Sequence, residues 1–354
     1  MQKSGSGKIQ NIQALRGIAV LLVVCFHLTT IERKYGGTTT ILPDFFQFGM
    51  FGVDLFFVIS GFVMVTITRG KFQQPRKALV FLYHRISRIY PLYWFYSLLV
   101  LAVFLYQPSL VNSFQNSQVD LTASFLLLPQ SLRPLLMVGW TLVHEMYFYL
   151  VFFLLLFLPE RFLVPALCTW AVALLIFFPE ASVSGSPWQL VAANPLTMEF
   201  IGGCFIALLT GNRHDLRRSP RMALICVAGL FIGSVLLFMY HWHTTGLVEP
   251  PDWKRILILG LPALLIIYLM VKAEQQNIVL PVSLQKIGDA SYSIYLSHIL
   301  TLNLLGRIWQ HFTMDSTIDN RLVLPFLFSA VVGAGIMSYI FIERPMIRAS
   351  RKIA

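Results

Sequence analysis

The first apolar run of the chain, QALRGIAVLLVVCFHL, carries a guanidinium and an imidazole eleven residues apart, Arg16 and His27. On an α-helix eleven steps of 100° make about three turns plus 20°, so both side chains share one face, roughly 16 Å apart along the axis. Imidazole is the side chain whose ordinary pKa suits proton removal near neutral pH. A guanidinium suits the oxygens of phosphate or carboxylate. The rest of the run is largely Leu, Ile, Val and Phe, and in lipid such a helix must turn its one polar face inward.

Other ionisable residues fall at matching positions. Asp54 in FGVDLFF and Glu145 in GWTLVHEMYFYL, with His144 beside it, each lie a turn or two into a run that enters from the side where His27 ends. All four then share a layer on the order of 5–10 Å below the outer edge of the apolar zone. Unpaired charges there are costly, so they are expected to meet around a wet cavity. In that cavity His27 would take a hydroxyl proton, while Glu145 or Asp54 holds its tautomer and steadies the imidazolium. A structural His–carboxylate lock between helices is the alternative. Trp140, Tyr147 or backbone amides are expected to donate to an oxyanion. Glu199 is read as a contact to the acceptor. His298, with Tyr292, Tyr295 and Ser297, lines the same cavity or bonds within the core. Ser60 and Gly61 are expected to let helices approach closely, with a Ser60 acyl-enzyme as the sharper alternative.

At the opposite end, TRGKFQQPRKALVFLYHRISRIYPLYW is dense in cations. Arg69, Lys71, Arg76 and Lys77 are accounted for by orientation in the membrane and by anionic lipid heads. Arg85 and Arg88, at i and i+3 of a helix and among Tyr83, His84 and Tyr90, make a fork for phosphate oxygens beside a stacking surface for a purine. With Arg16 they are expected to hold a phosphorylated carrier. His241 and His243 lack a third ligand, so no metal site is expected. Cys25, Cys168, Cys204 and Cys226 sit in apolar runs without paired spacing and read as core or lipid-facing residues. Glu343, Arg344 and Pro345 read as a local ion pair and a helix stop.

The elements that position these residues follow from composition. With 56% hydrophobic and only 12% charged residues over 354 positions, a water-soluble globular protein is excluded. The chain is expected to be an all-α polytopic helix bundle, a single transmembrane domain over 1–354 with no cleavable signal peptide. About ten apolar runs lie near 12–31, 49–68, 89–106, 138–158, 162–178, 195–210, 221–240, 255–272, 289–310 and 322–342. With both termini cytoplasmic, the outer side keeps only Arg33, Lys34, Arg133, Lys254, Arg255, Arg307 and Arg321 of the 27 Lys and Arg, as the positive-inside rule requires. A re-entrant or interfacial helix is expected around Phe125–Leu128, and an external turn over 179–195.

The motifs LRGIAVLLVVCFH, GVDLFFVISGFVM, HRISRIYPLYW, GWTLVHEMYFY, GDASYSIYLSH and IERP, in this order from Ile12 to Pro345, resemble the acyltransferase type 3 family of bacterial integral membrane O-acyltransferases. The similarity is greatest to the branch that acetylates exopolysaccharides such as succinoglycan. The resemblance implies transfer of an acyl group, usually acetyl from acetyl-CoA as co-substrate with no permanently bound cofactor, to a hydroxyl of a surface carbohydrate. It implies a bacterial inner membrane location, with membrane lipids and polysaccharide-synthesis machinery as partners and no nucleic acid. The family's arginine-and-histidine motif falls on Arg16 and His27, and its arginine pair on Arg85 and Arg88. Many relatives carry an added periplasmic domain, and an end at Ala354 leaves acceptor binding to the membrane domain or a partner. A pantetheine arm is about as long as the Arg16–His27 separation, so a tunnel is expected to lead a thioester from the arginines to His27. A transporter of a lipid-linked sugar or organic anion, with the buried ionisable residues as a proton relay, is the competing class. It leaves the Arg85–Arg88 fork without a role.

Overall fold

The computed structural model describes residues 9–211, 220–247, 252–312 and 317–351. Lys3, Lys8, Arg213, Arg217, Arg218 and Lys352, all placed on the inner side by the charge pattern, lie outside the described residues. Of the described residues 82% are helical, and none lies in a strand. That outcome suits apolar segments whose backbone groups find no water to bond and must satisfy one another within the segment.

Helix α1 (Gln10–Tyr35) is followed by a 3₁₀ segment, Asp44–Met50, that leads into α2 (Phe51–Thr68). Next come α3 (Pro75–Tyr106), a short α4 (Leu121–Leu126), α5 (Gly139–Leu155), α6 (Leu163–Ser184), a short α7 (Pro187–Ala192), α8 (Thr197–Thr210) and α9 (Pro220–Thr245). Helix α10 (Asp252–Arg255) passes through a π-helical turn, Ile256–Gly260, into α11 (Leu261–Gln275). The chain ends in α12 (Val282–Asp289), α13 (Ser291–Phe312), α14 (Thr317–Ser338), a second π-helical turn at Tyr339–Glu343, and α15 (Arg344–Ser350).

Each of the expected apolar runs falls on a helix. Among the described residues, 8 helical segments are long and apolar enough to cross a membrane by length and composition. The runs that fall short are α5, an apolar helix of 17 residues, and α13. Helix α5 falls short by its length, whereas α13, long enough at 22 residues, carries the polar Ser291, Tyr292, Tyr295 and His298. Helix α2 is the most enclosed, with 72% of its apolar window buried, against 17% for α6 and for α9, which form the periphery.

Helix α1 is fastened at both ends. At its start, which we call the inner end, the Glu274 carboxylate of α11 accepts from the backbone N–H of Gln10 (2.8 Å) and Asn11 (2.7 Å). An anion there offsets the positive end of the helix dipole. The buried Asn11 amide bonds Met270 O, Ile278 O and Leu280 N. At the outer end, Glu32 is 1% exposed and accepts from Ile41 N, Leu42 N and Asn320 Nδ2. Near the inner end α1 lies backbone to backbone on α12: a Cβ on Gly288 would meet Gln13 O at 1.8 Å, and one on Gly17 would meet Leu284 O at 2.3 Å. This contact brings Ser291, at the start of α13, against Arg16.

The close helix contact expected of Gly61 is present. A Cβ there would meet Phe200 O of α8 at 1.9 Å, and one on Gly203 would meet Val58 O of α2 at 2.0 Å.

Helix α3 begins at Pro75, ahead of the apolar run at 89–106, so Arg85 and Arg88 lie, as expected, on the helix that becomes this run. Expectations for other segments are corrected. The expected external turn over 179–195 contains the end of α6 and all of α7. Glu343, Arg344 and Pro345 do not stop the helix. Pro345 sits in the first turn of α15, where a missing N–H has no intrahelical partner to lose. The buried Glu343 carboxylate accepts from Ser293 Oγ of α13 (2.6 Å) instead of forming a local ion pair.

The α2–α8 contact leaves no room for a methyl group. Gly61→Ala and Gly203→Ala are each expected to lower stability by about 1–3 kcal/mol through overpacking. Gly229→Ala, where nothing lies within 4 Å, is expected to be neutral or mildly stabilising. Thermal unfolding of the three variants in detergent checks this; equal melting temperatures would contradict it.

Candidate active site

Neighbouring residues on a helix point about 100° apart, and that rotation sorts the ionisable residues into three separate environments. On α2 the residues Val53, Phe56, Phe57, Ser60, Val63 and Met64 line a cavity of about 90 Å³. On α5, Thr141, Leu142, Glu145 and Tyr149 line it from the other side. Arg16 of α1, Arg85, Arg88 and Ile89 of α3, and Ser291, Tyr292 and Tyr295 of α13 complete the wall. The three arginines expected to act together are thus brought to one narrow slot.

Three guanidiniums and one carboxyl line the slot, and a second buried carboxyl, Glu343, lies near enough to act on Arg16 and Arg88. Arg16 Nη2 donates to Ser291 Oγ (3.1 Å). Arg85 lies 5.9 Å from the Phe81 ring centre and 5.8 Å from that of Tyr149. The Nε atoms of Arg16 and Arg85 are buried with no hydrogen-bond partner among the described residues. Glu145 Oε1 accepts from the hydroxyls of Tyr149 and Ser60, the latter at 3.4 Å. Sequence reasoning did not single out Tyr149. Its spacing from Glu145, one helical turn, was the available signal. Ser60 was weighed as a packing residue, and the structure gives it a polar partner.

His27 belongs to a second, wider cavity of about 320 Å³. Val23, Phe26, Met50, Val53, Phe114, Arg133, Met137, Val138, Trp140, Arg255 and Tyr295 line it with His27. The His298 ring lies 4.9 Å from the His27 ring, centre to centre. Fully buried His298 places Nδ1 2.6 Å from Tyr295 O. A carbonyl oxygen only accepts, so Nδ1 carries the proton and Nε2 is left as an acceptor. That Nε2 is buried without a partner among the described residues.

The expected tunnel is seen as two adjoining spaces rather than one continuous one. The slot and the His27 cavity are distinct, and Val53 and Tyr295 stand in the walls of both. The Tyr295 hydroxyl is held by Thr141 Oγ1 (2.8 Å) and by Val138 O (3.4 Å), and Phe56 packs against its ring.

Neither carboxyl expected to orient His27 touches it. Asp54, one residue on from Val53 and therefore turned off the cavity face, binds Arg255 in a two-pronged pair, Nε to Oδ1 and Nη2 to Oδ2, both 3.0 Å. Asp54 is fully buried and Arg255 8% exposed. Arg255 reads in the sequence only as an outer-side cation; its place at the junction of α10 and a π-helical turn has no sequence signal. Glu199, expected to touch the acceptor, is instead fully buried next to Asp54 and lines neither cavity. Its carboxyl occupies the space over Gly260, where a Cβ would meet Oε1 at 2.8 Å. Tyr147 is also misplaced by the sequence reading: its hydroxyl donates to Ala192 O (3.2 Å) and its ring packs on Trp170, away from both cavities. Trp140 does line the His27 cavity. His144 lies one turn further along α5 in an adjoining recess rather than against His27.

A family model described as an acyltransferase domain matches residues 9–340. The chain belongs to the acyltransferase type 3 family. It is similar to the exopolysaccharide production protein ExoZ of Rhizobium meliloti, 29% identical over 316 residues that cover 86% of this chain and 92% of the relative. It is also similar to the acyltransferase MdmB of Streptomyces mycarofaciens, 26% identical over 379 residues covering 96% and 92%. No solved structure matches the chain. As a member of the acyltransferase type 3 family with this succession of apolar helices, the protein is a multi-pass membrane acyltransferase.

The Asp54–Arg255 pair supports a direct test. Removing one charge strands the other in an apolar surrounding, so Asp54→Asn is expected to cost about 3–5 kcal/mol of stability. The double variant Asp54→Leu/Arg255→Met is expected to recover most of that loss. Thermal unfolding of the single and double variants reads the coupling, and additive losses would show that the pair is not the stabilising unit.

Proposed function

We propose that the protein transfers an acyl group, acetyl in the first instance, from cytoplasmic acyl-CoA to a hydroxyl of an exopolysaccharide or other cell-surface glycan, in a bacterial inner membrane. The observation that carries this reading is the slot with three guanidiniums facing one carboxyl. A cavity with that surplus of positive charge in an apolar bundle calls for a polyanion. The phosphates of a nucleotide carrier meet the need, with Arg85 and Arg88 as a fork and Arg16 above them. A slot of about 90 Å³ suits an extended arm better than a folded ligand.

In this reading His27 removes the proton from the acceptor hydroxyl as its oxygen attacks the thioester carbonyl. The tetrahedral intermediate then collapses: the C–S bond breaks and the CoA thiolate leaves, taking up the proton that His27 holds. His298, fixed through Nδ1 on the Tyr295 carbonyl, sets the position of the His27 ring. Glu145 works in the slot, keeping Tyr149 and Ser60 oriented beside the arginines, and Asp54 works at one remove by holding Arg255 in the wall of the acceptor cavity. The thioester reaches His27 by passing between Val53 and Tyr295 once the Tyr295 ring swings from Thr141. Carbohydrate as the acceptor rests on the kinship with an exopolysaccharide production protein.

Binding of acetyl-CoA to the purified protein and acetyl transfer separate these roles. Arg85→Ala and Arg88→Ala are each expected to weaken acetyl-CoA binding roughly tenfold to hundredfold, the worth of a charge-assisted hydrogen bond. His27→Ala is expected to bind the donor and lose about 10²–10⁴-fold in transfer rate, the usual contribution of a general base. Full activity of His27→Ala, or glycan transport with no thioester present, overturns the reading. Val53→Trp is expected to stop transfer, because it fills the passage; normal transfer by that variant would remove the passage from the mechanism.

A further inference from the structure

Beside the His27 cavity lies a recess of about 300 Å³ that the chemistry at His27 does not use. Gln130, Arg133, Trp140, His144 and Asn194 supply its polar lining, with Val143, Leu190 and Val191 among the apolar residues. Arg133 and Trp140 line both this recess and the His27 cavity, and the Arg133 guanidinium lies 5.2 Å over the indole. The two spaces therefore adjoin across one stacked pair of side chains.

Residues that line the recess carry buried polar atoms that lack partners. Both amide atoms of Gln130 are buried without a hydrogen bond among the described residues, and so is Nδ1 of His144. His144 is 7% exposed and packs edge-on against Trp140. Asn194 uses its Oδ1 to accept from Leu196 N (2.9 Å), which turns attention to its amide N–H groups. Buried donors and acceptors of this kind cost free energy unless a ligand or water meets them. A lipid tail filling the recess would leave them unmet. A sugar ring would meet them, because it offers hydroxyls to amide and imidazole edges and an apolar C–H face to an aromatic ring.

We infer that this recess is a second carbohydrate subsite, which holds a neighbouring sugar of the acceptor chain while another sugar presents its hydroxyl to His27. The inference rests on the acceptor reading above and extends it: the substrate is a glycan engaged over more than one sugar unit, not a free monosaccharide. Trp140 and His144 are one helical turn apart on α5, roughly 6 Å, a step comparable to one sugar ring. Gln130 and Arg133 reach the recess from the loop before α5, and Asn194 from the segment after α7.

The test uses the full-length protein in detergent with acetyl-CoA. The acceptors are a mono-, di- and tetrasaccharide series cut from the surface polysaccharide of the cell that carries the gene. Wild type is expected to show a kcat/KM at least tenfold higher for the tetrasaccharide than for the monosaccharide, mainly through KM. In Gln130→Met and in His144→Phe, both checked for unaltered thermal unfolding, that ratio is expected to fall close to one. Trp188→Ala, an exposed change on α7 outside the lining, is expected to keep it. A flat length dependence in wild type, or a ratio unmoved in both lining variants, overturns the subsite and leaves the transfer reaction standing. Acetyl transfer to no glycan of any length overturns the transfer reading and the subsite with it.

Discussion

Helix α1 is fastened at both ends, and the proposed chemistry depends on that. Its inner end is clamped by Glu274 on the first backbone N–H groups and by the Asn11 amide; its outer end is clamped by Glu32 beneath the loop that follows. The contact with α12 brings backbone to backbone at Gly17 and Gly288. A rotation of one residue, about 100°, would turn Arg16 out of the slot and His27 out of its cavity together. Because both residues ride one rigid helix, the distance between the charged slot and the imidazole is set by the rise per residue. It does not depend on how two mobile elements dock.

Burial of charge then decides the arrangement of the remaining helices. In an apolar bundle each guanidinium and carboxyl needs a partner or a wet cavity. Asp54 and Arg255 solve the problem with each other, at the cost of removing both from water. The arginines of the slot do not pair in that way: three of them face Glu145, whose Oε1 is occupied by Tyr149 and Ser60. A surplus of unpaired positive charge is a poor way to stabilise a fold and a good way to hold an anionic ligand. The same contrast separates His298, locked on a backbone carbonyl, from His27, which lines open space.

Much of this was legible in the sequence because it depends on helical periodicity and hydropathy alone. The spacing of Arg16 and His27, the i and i+3 arginines, and the runs that became helices all follow from a repeat of 3.6 residues. What periodicity cannot supply is the absolute rotation of each helix about its axis. Asp54, His144 and Glu199 are buried and Glu145 half-buried, as depth suggests, yet the deciding variable is azimuth. One position along α2 separates Val53 on the cavity wall from Asp54 on Arg255, and one position along α5 separates His144 in the outer recess from Glu145 in the inner slot. Arg255 escaped for a different reason. A cation at the end of an apolar run looks like an orientation signal, and only the π-helical turn after it, held against Glu199 through Gly260, shows that the residue is drawn inside.

The division of the interior into two spaces has a chemical consequence under the proposed reaction. A channel open from the nucleotide site to the acceptor would admit water to the thioester, and water competes with a sugar hydroxyl for the same carbonyl. Val53 and Tyr295 stand in the walls of both spaces, and the Tyr295 hydroxyl is tied to Thr141 on α5. Thr141 shares that helix with Trp140, which lines the His27 cavity, and with Glu145, which lines the slot. A small shift of α5 on filling either space would therefore be felt at the Tyr295 hydrogen bond. A rigid α1 fixes the distance the thioester must travel, and an α5 that touches both spaces makes passage conditional on occupancy. The barrier between the cavities is then a means of favouring a glycan over water.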